Sequence, residues 1–219
     1  MSHDDHTSAL PDHLSQEFWD ERYGSAEVIW SGEPNPHLVE QVADLAPGEA
    51  LDVGSGEGAD AIWLASRGWH VTGIDVSPVA LDRAAYRAAS RGPEVAERIS
   101  WRQADVLSWE PAPDQFDLVS AQFMHLPGPA RESLHRRLAE AVRPGGTLLV
   151  VGHHPSDLET TMRRPSLPDL LFTSEQVAAT LDPSEWHVVV AAAPERQALD
   201  PDGRSVTIHD ALLKATRRG

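Results

Sequence analysis

Eight consecutive residues, Leu51-Asp52-Val53-Gly54-Ser55-Gly56-Glu57-Gly58, restrict what this chain can fold into more than any other stretch. Glu49-Ala50-Leu51 ahead of them reads as the end of a short strand, and residues 59–67 behind them read as a helix. A strand that turns through glycines into a helix leaves a shallow cradle, where a ligand lies against bare backbone and free amide groups. Acids in such a turn select the ligand. Asp52 and Glu57 would repel a pyrophosphate and attract a cationic group at close range.

The rest of the chain repeats the strand-then-helix pattern. Predicted strands at 69–74, 98–103, 116–121, 147–151, 186–192 and 206–213 are interleaved with helical patterns at 78–90, 129–142 and 174–181. Ser77 is placed to cap the first of these helices, with Pro78 at its first position. Such alternation implies a parallel sheet with helices on both faces. The last two strands have no helix between them, only the segment 194–204, and are expected to pair antiparallel at one edge. Upstream, 16–23 reads as a short amphipathic helix stopped by Gly24, 31–36 as a loop, and Pro36 as the start of a helix through Leu45. Residues 15–46 are thus expected to form cap helices. The proline-rich insert 155–173 follows a central strand, where a lid over a site belongs.

With 219 residues the chain fits one domain, and 34 acidic against 18 basic residues give a formal net charge of -16. That surface disfavours nucleic acid or an anionic membrane as a partner. The absence of cysteine removes disulfides, a thiol nucleophile and thiolate metal ligands. No apolar run reaches membrane-spanning length, and Met1-Ser2-His3-Asp4-Asp5-His6 lacks the character of a secretory signal, so a cytoplasmic protein, monomer or homodimer, is expected. Residues 1–14 read as a disordered polar tail, with His3, His6 and His13 belonging to it rather than to a metal tract.

In open parallel sheets the ligand crevice lies beyond the carboxyl ends of the strands. The first predicted strand ends in Asp52 and the glycine loop, and the second in Asp75, about 20 residues on, where an acid accepts from ribose hydroxyls. The third ends in Asp105, suited to an exocyclic adenine amine, the fourth at Ala121-Gln122 before Phe123-Met124-His125, and the fifth at His153-His154. Asp75 alone does not discriminate, and Gly54-x-Gly56-x-x-Ala59 also satisfies a loose dinucleotide fingerprint. The acids Asp52 and Glu57 favour S-adenosylmethionine, with its sulfonium and ammonium, over a nicotinamide.

These residues resemble a known family. The 51–58 stretch is similar to motif I of the class I S-adenosylmethionine-dependent methyltransferases, Gly73-Ile74-Asp75-Val76-Ser77 to their second motif, Gln103-Ala104-Asp105-Val106 to the third, and Arg143-Pro144-Gly145-Gly146 to the turn before their fifth strand. Phe18-Trp19-Asp20-Glu21-Arg22-Tyr23, with Trp30 and Pro34 following, resembles the N-terminal segment of the tellurite-resistance and thiopurine methyltransferase-like branch, which acts on small molecules. The resemblance implies a Rossmann-like doubly wound α/β sheet of seven strands in three layers, order 3-2-1-4-5-7-6 with strand 7 antiparallel, over a single domain from 15 to 219. It further implies cofactor contacts from Asp52, Gly54, Ser55, Gly56, Asp75, Val76, Ala104, Asp105, Val106 and Ala121, with Tyr23 and Trp30 closing over the methionyl end.

Methyl transfer from a sulfonium is an in-line displacement that needs alignment above all. A base is required only when the acceptor carries a proton, and His125, His153 and His154 are the candidates because they follow the fourth and fifth strands. Adjacent strand residues point to opposite faces, so His153 and His154 do not chelate one ion, and no metal site is expected. Arg163 and Arg164 in the lid are read as solvated, with an anionic substrate as the alternative. The expected activity is methyl transfer to a small-molecule acceptor. The alternatives are a non-catalytic cofactor-binding or regulatory module on the same fold and a nicotinamide oxidoreductase.

Overall fold

The computed structural model describes residues 14–25, 29, 31–164 and 168–219, so residues 1–13 of the predicted tail 1–14, its three histidines and Trp30 lie outside the described residues, while Leu14 packs against the core. Seven helices, α1 (Gln16–Gly24), α2 (Pro36–Gln41), α3 (Ala59–Ser66), α4 (Pro78–Ser90), α5 (Pro93–Ala96), α6 (Gly128–Ala141) and α7 (Ser174–Ala178), surround eight strands among the described residues. The strands are β1 (Glu49–Val53), β2 (His70–Asp75), β3 (Ile99–Gln103), β4 (Phe116–Gln122), β5 (Val142–His153), β6 (Trp186–Ala192), β7 (Glu195–Leu199) and β8 (Ser205–Arg217).

The sheet runs β3-β2-β1-β4-β5-β8-β6, with β7 paired to β8 beside this path. β1 to β5 are parallel, while β8 runs antiparallel to both β5 and β6. The order expected from the family resemblance therefore holds. Within the central strands the apolar residues alternate between two cores. Leu51, Val53, Val119, Leu148, Val150 and Leu213 bury on one side, and Ala50, Leu118, Leu149, Val151 and Leu212 on the other. Both faces are covered, so these strands read as near-continuous apolar runs.

Three local differences from the sequence reading have physical causes. The predicted 194–204 connection contains β7, whose residues are mostly exposed and which exists because it forms a hairpin onto β8. Arg143-Pro144-Gly145-Gly146 is a bulge inside β5, because Val142 already pairs with Phe116 before Thr147 pairs with Leu118. The helix expected to reach Leu45 ends at Gln41, where Val42 departs from helical geometry.

The N-terminal segment packs over the strand ends. Ser15 caps α1 by accepting from the Phe18 amide (3.1 Å), and α1 is tied down where the Ser77 hydroxyl donates to Asp20 (2.5 Å) and Gln103 donates to Gln16 (3.0 Å). Asp20 thus anchors α1 over the ends of β2 and β3. The insert after β5 is also pinned. Phe172 is buried, and a Cβ on Gly152 would stand 2.3 Å from its ring, so the bare glycine in β5 is what admits this side chain. No helix among the described residues is long and apolar enough to cross a membrane.

Candidate functional site

Four adjacent strands carry polar side chains to one face at one edge of the sheet, the carboxyl ends of β1, β4 and β5 and the amino-terminal half of antiparallel β8. They are Asp52 on β1, Ser120 and Gln122 on β4, His153 on β5 and Asp210 on β8, in register as Asp52↔Ser120, Gln122↔Val151 and His153↔Asp210. Strand side chains alternate, and Leu118, Leu149, Val151 and Leu212, an even number of residues away, belong to the core beneath α2 and α3. Strands lie about 4.8 Å apart, which puts the ends of β1 and β5 about 10 Å from each other.

The glycine loop closes the β1 end of this row. Gly54, Gly56 and Gly58 take φ of 70, 52 and 84°, the left-handed region that disfavours any side chain. A Cβ on Gly54 would come within 2.3 Å of Met124 Sδ, so the loop and the segment after β4 approach to the limit. The Ser55 amide donates to the Ile74 carbonyl (2.9 Å), and the Gly56 and Ser77 amides donate to the two oxygens of Asp75 (2.9 Å each). Asp75 thereby clamps the loop to the end of β2. Burial raises its pKa against the opposing pull of those amides, and Asp20 adds a smaller push upward.

Asp52 is the electrostatic centre. It is 2% exposed, and its Oδ2 has no hydrogen-bond partner among the described residues. Burial lifts its pKa well above the usual carboxylate range, neighbouring Asp60 raises it further, and the Ala61 amide at the start of α3 opposes both. Asp60, which accepts from the Asn35 amide (2.6 Å), is itself pushed up to about 6 by burial. A buried carboxylate with an orphaned oxygen, a half-buried second carboxylate and the bare glycines that follow match a ligand bearing a cationic N–H group. The Ser55 hydroxyl is a second buried polar atom without a partner at the same loop. The observed donor set therefore fits the ammonium of S-adenosylmethionine.

Glu57 does not take the role expected from its place in the loop. Its carboxylate turns away to Arg83 (3.1 Å) and Arg87 (3.4 Å) on α4 and accepts from the Ile29 amide (3.3 Å). Its charge is neutralised there, so the cation preference of the loop rests on Asp52 and Asp60.

The remaining predicted cofactor residues line the neighbouring strand ends. Val76 is half-buried, with its carbonyl accepting from Gln103 (3.2 Å), and Ala104 is buried with its amide donating to the Asp75 carbonyl (2.9 Å). Asp105 is exposed and accepts from the Leu107 amide (2.9 Å), while Val106 packs at the margin of the core. Ala121 is buried opposite Val53 and Val150. Tyr23 is buried at the end of α1, its ring 5.8 Å from that of Trp19. Trp30 lies outside the described residues. An open cleft of about 570 Å³ lined by Thr72, Trp101, Trp109 and Phe116 sits on the β3 flank, apart from the glycine loop.

Of the three candidate bases, the structure brings two together. His125 stacks on His153 with ring centroids 4.8 Å apart, and Phe123 lies 4.7 Å from His153. Phe123 holds a φ of 54°, uncommon outside glycine, at the turn that leaves β4. His154 points the other way, where it accepts from the Ser156 amide (3.2 Å) at the start of a 3₁₀ turn, Pro155–Glu159. It has a capping role and does not join the row. Arg164 is also committed elsewhere, in a buried ion pair with Asp157 (2.5 Å), whereas Arg163 is exposed.

Sequence reasoning missed His37, Asn35 and Asp210. Asn35 caps α2 by accepting from the His37 amide (2.9 Å) and donates to Gln122 (2.8 Å), and His37 Nε2 lies 3.1 Å from Asp210. The Asn35-Pro36 pair is a visible helix start, yet nothing local in the sequence announces that it reaches strands so distant. Burial alone would raise the pKa of Asp210, but its interactions with His153, His37 and Arg196 outweigh it and hold the carboxylate far below its usual range.

Strand order 3-2-1-4-5-8-6, with an antiparallel strand inserted beside β5, departs from the 3-2-1-4-5-6 order of the dinucleotide-binding fold. With an acid and glycines at the β1 end it defines a Rossmann-like methyltransferase fold. Residues 50–146 match the family model described as a methyltransferase domain. The chain is similar to a probable thiol methyltransferase 2 of Arabidopsis thaliana, 32% identical over 61% of this chain and 60% of that protein. It is also similar to a 2-heptyl-1-hydroxyquinolin-4(1H)-one methyltransferase of Mycobacteroides abscessus, 30% identical over 58% of this chain and 56% of that protein. The chain thus spans about three fifths of the length of these relatives. TehB from Haemophilus influenzae shares the fold, with a TM-score of 0.67 at 16% identity over 93% of this chain and 67% of that one.

Proposed function

We propose that this protein transfers a methyl group from S-adenosylmethionine to a small-molecule acceptor. The observation that carries this reading is the orphaned Asp52 oxygen, buried beside the left-handed glycines of a methyltransferase domain. When bound, the cofactor supplies an electrophilic methyl on a sulfonium. In this reading Asp52 holds the ammonium, Asp75 receives the ribose, and Gly54 and Gly56 leave room for the ligand backbone. Met124, Phe123 and His125 after β4, with His153 at the end of β5, form the wall beyond the sulfur where an acceptor would be aligned and water excluded. Relatives named for thiol and hydroxyquinolinone methylation support a small acceptor with a sulfur or oxygen nucleophile.

The test pairs binding with turnover. Adenosylhomocysteine should raise the melting temperature and NADH should not, and methyl-labelled cofactor should pass its label to members of a panel of small thiols and phenols. Stabilisation by NADH alone would overturn the reading. Tight adenosylhomocysteine binding with no transfer to any acceptor would favour a non-catalytic module.

A further inference from the structure

Asp210 lies at the far end of the polar row from Asp52 and binds groups from three elements. His37 Nε2 on α2 is 3.1 Å from its Oδ2, Arg196 Nε on β7 donates to the same oxygen (2.6 Å), and Arg196 also reaches Oδ1 (3.3 Å). His153 Nδ1 stands 3.8 Å from Oδ1, an ion-pair separation longer than a hydrogen bond. The carboxylate is 1% exposed, so this arrangement is built into the fold rather than spread over the surface. His153 Nδ1 is sealed from solvent, so the 16% of its side chain that remains exposed lies on the other side-chain atoms, while His125 and Phe123 pack beside the ring.

We infer that Asp210 is a positioning residue that fixes His153 with its proton on Nδ1, leaving Nε2 to take a proton from the acceptor. The inference rests on the methyltransferase reading and narrows it to acceptors that carry a removable proton, thiols or hydroxyls. In the step, the acceptor's S–H or O–H bond breaks, its proton goes to His153 Nε2, and its electron pair forms the bond to the methyl carbon. The carbon–sulfur bond pair stays on the donor sulfur, so charge and atoms balance. A base must be neutral before it acts. The surroundings of His153 provide this, since burial lowers its pKa, Asp210 pulls upward, and Arg164 and Arg196 push downward. His125 stacks on its face, and His37 shares the same carboxylate. An anionic Asp210 then stabilises the imidazolium that forms. Carboxylate, imidazole and acceptor would make a relay parallel to, and about two strands from, the Asp52 end of the row.

Nitrogen-resolved NMR of the histidine rings tests this in the native protein saturated with adenosylhomocysteine. His153 should be neutral at pH 7 with its proton on Nδ1, and Asp210→Asn should shift its tautomer and its titration. A proton resident on Nε2 of the native protein overturns the inference. In turnover with thiophenol and phenol as probes, Asp210→Asn and His153→Gln should each lower kcat at pH 7 by about a hundredfold. The loss should shrink as pH rises and the acceptor ionises unaided, with KM little changed. His153→Gln keeps Asp210 with His37 and Arg196 and so guards against a folding defect in the first variant. Equal kcat in native protein and both variants overturns the inference, as does tight adenosylhomocysteine binding with no transfer to either probe. Loss of adenosylhomocysteine binding by the native protein would instead defeat the cofactor reading itself.

Discussion

Asp52 is buried and Asp60 beside it half-buried, and the pKa values of both are raised by burial. Burial thus favours the protonated form of each carboxyl. A bound ammonium requires the ionised form. With the ammonium at Asp52 as proposed, cofactor binding should release a proton where the raised pKa values lie, and affinity should fall as pH drops through about 6, the value to which Asp60 is pushed. With one proton linked, the change approaches about 1.4 kcal/mol per pH unit at its steepest. Calorimetric titration of adenosylhomocysteine between pH 5 and 8 in buffers of different ionisation enthalpy reads both the slope and the released proton. An affinity flat across that range contradicts the assignment. At this scale Asp52, Gly54, Gly56 and Asp75 were legible, because each stands inside a contiguous motif whose backbone geometry is local. Glu57 was misread because its partners Arg83 and Arg87 stand on α4, beyond the next strand. His37 and Asp210 were invisible, being 173 residues apart.

Among the elements, the insert after β5 shows how little sequence says about what a loop holds. Its described part is fastened to the rest of the fold. Asp157 accepts from the His209 amide (2.8 Å) and pairs with Arg164, Thr161 donates to Asp200 (2.6 Å), and Phe172 fills the space over Gly152. Gly152→Ala would place a methyl group 2.3 Å from that ring. The strained packing should cost about 1 to 3 kcal/mol. The urea midpoint should drop accordingly while adenosylhomocysteine affinity stays near native, since the glycine loop is on another strand. An unchanged midpoint would show that Phe172 moves aside freely. The strands of the sheet interior were legible because burial on both faces forces apolar runs. β7 was not, because Glu195-Arg196-Gln197-Ala198-Leu199 is exposed and takes strand form only through its hairpin with β8.

For the molecule as a whole, the sheet order brings the chemistry together. β1, β4, β5 and β8 are neighbours in space though far apart in the chain, so one face collects Asp52, Gln122, His153 and Asp210 in a row. α2 spans that row, with Asn35 reaching Asp60 and Gln122 and His37 reaching Asp210. The donor end of the row was readable from motifs, while the acceptor end was set by tertiary packing alone. The central claim is that the donor end holds a cation through Asp52. Titration of adenosylhomocysteine into native protein and Asp52→Asn at pH 7.5 tests it most directly. Loss of the charge should weaken binding by about 1.5 to 3 kcal/mol, the range for a hydrogen bond to a charged group. Identical dissociation constants for the two proteins would contradict the account.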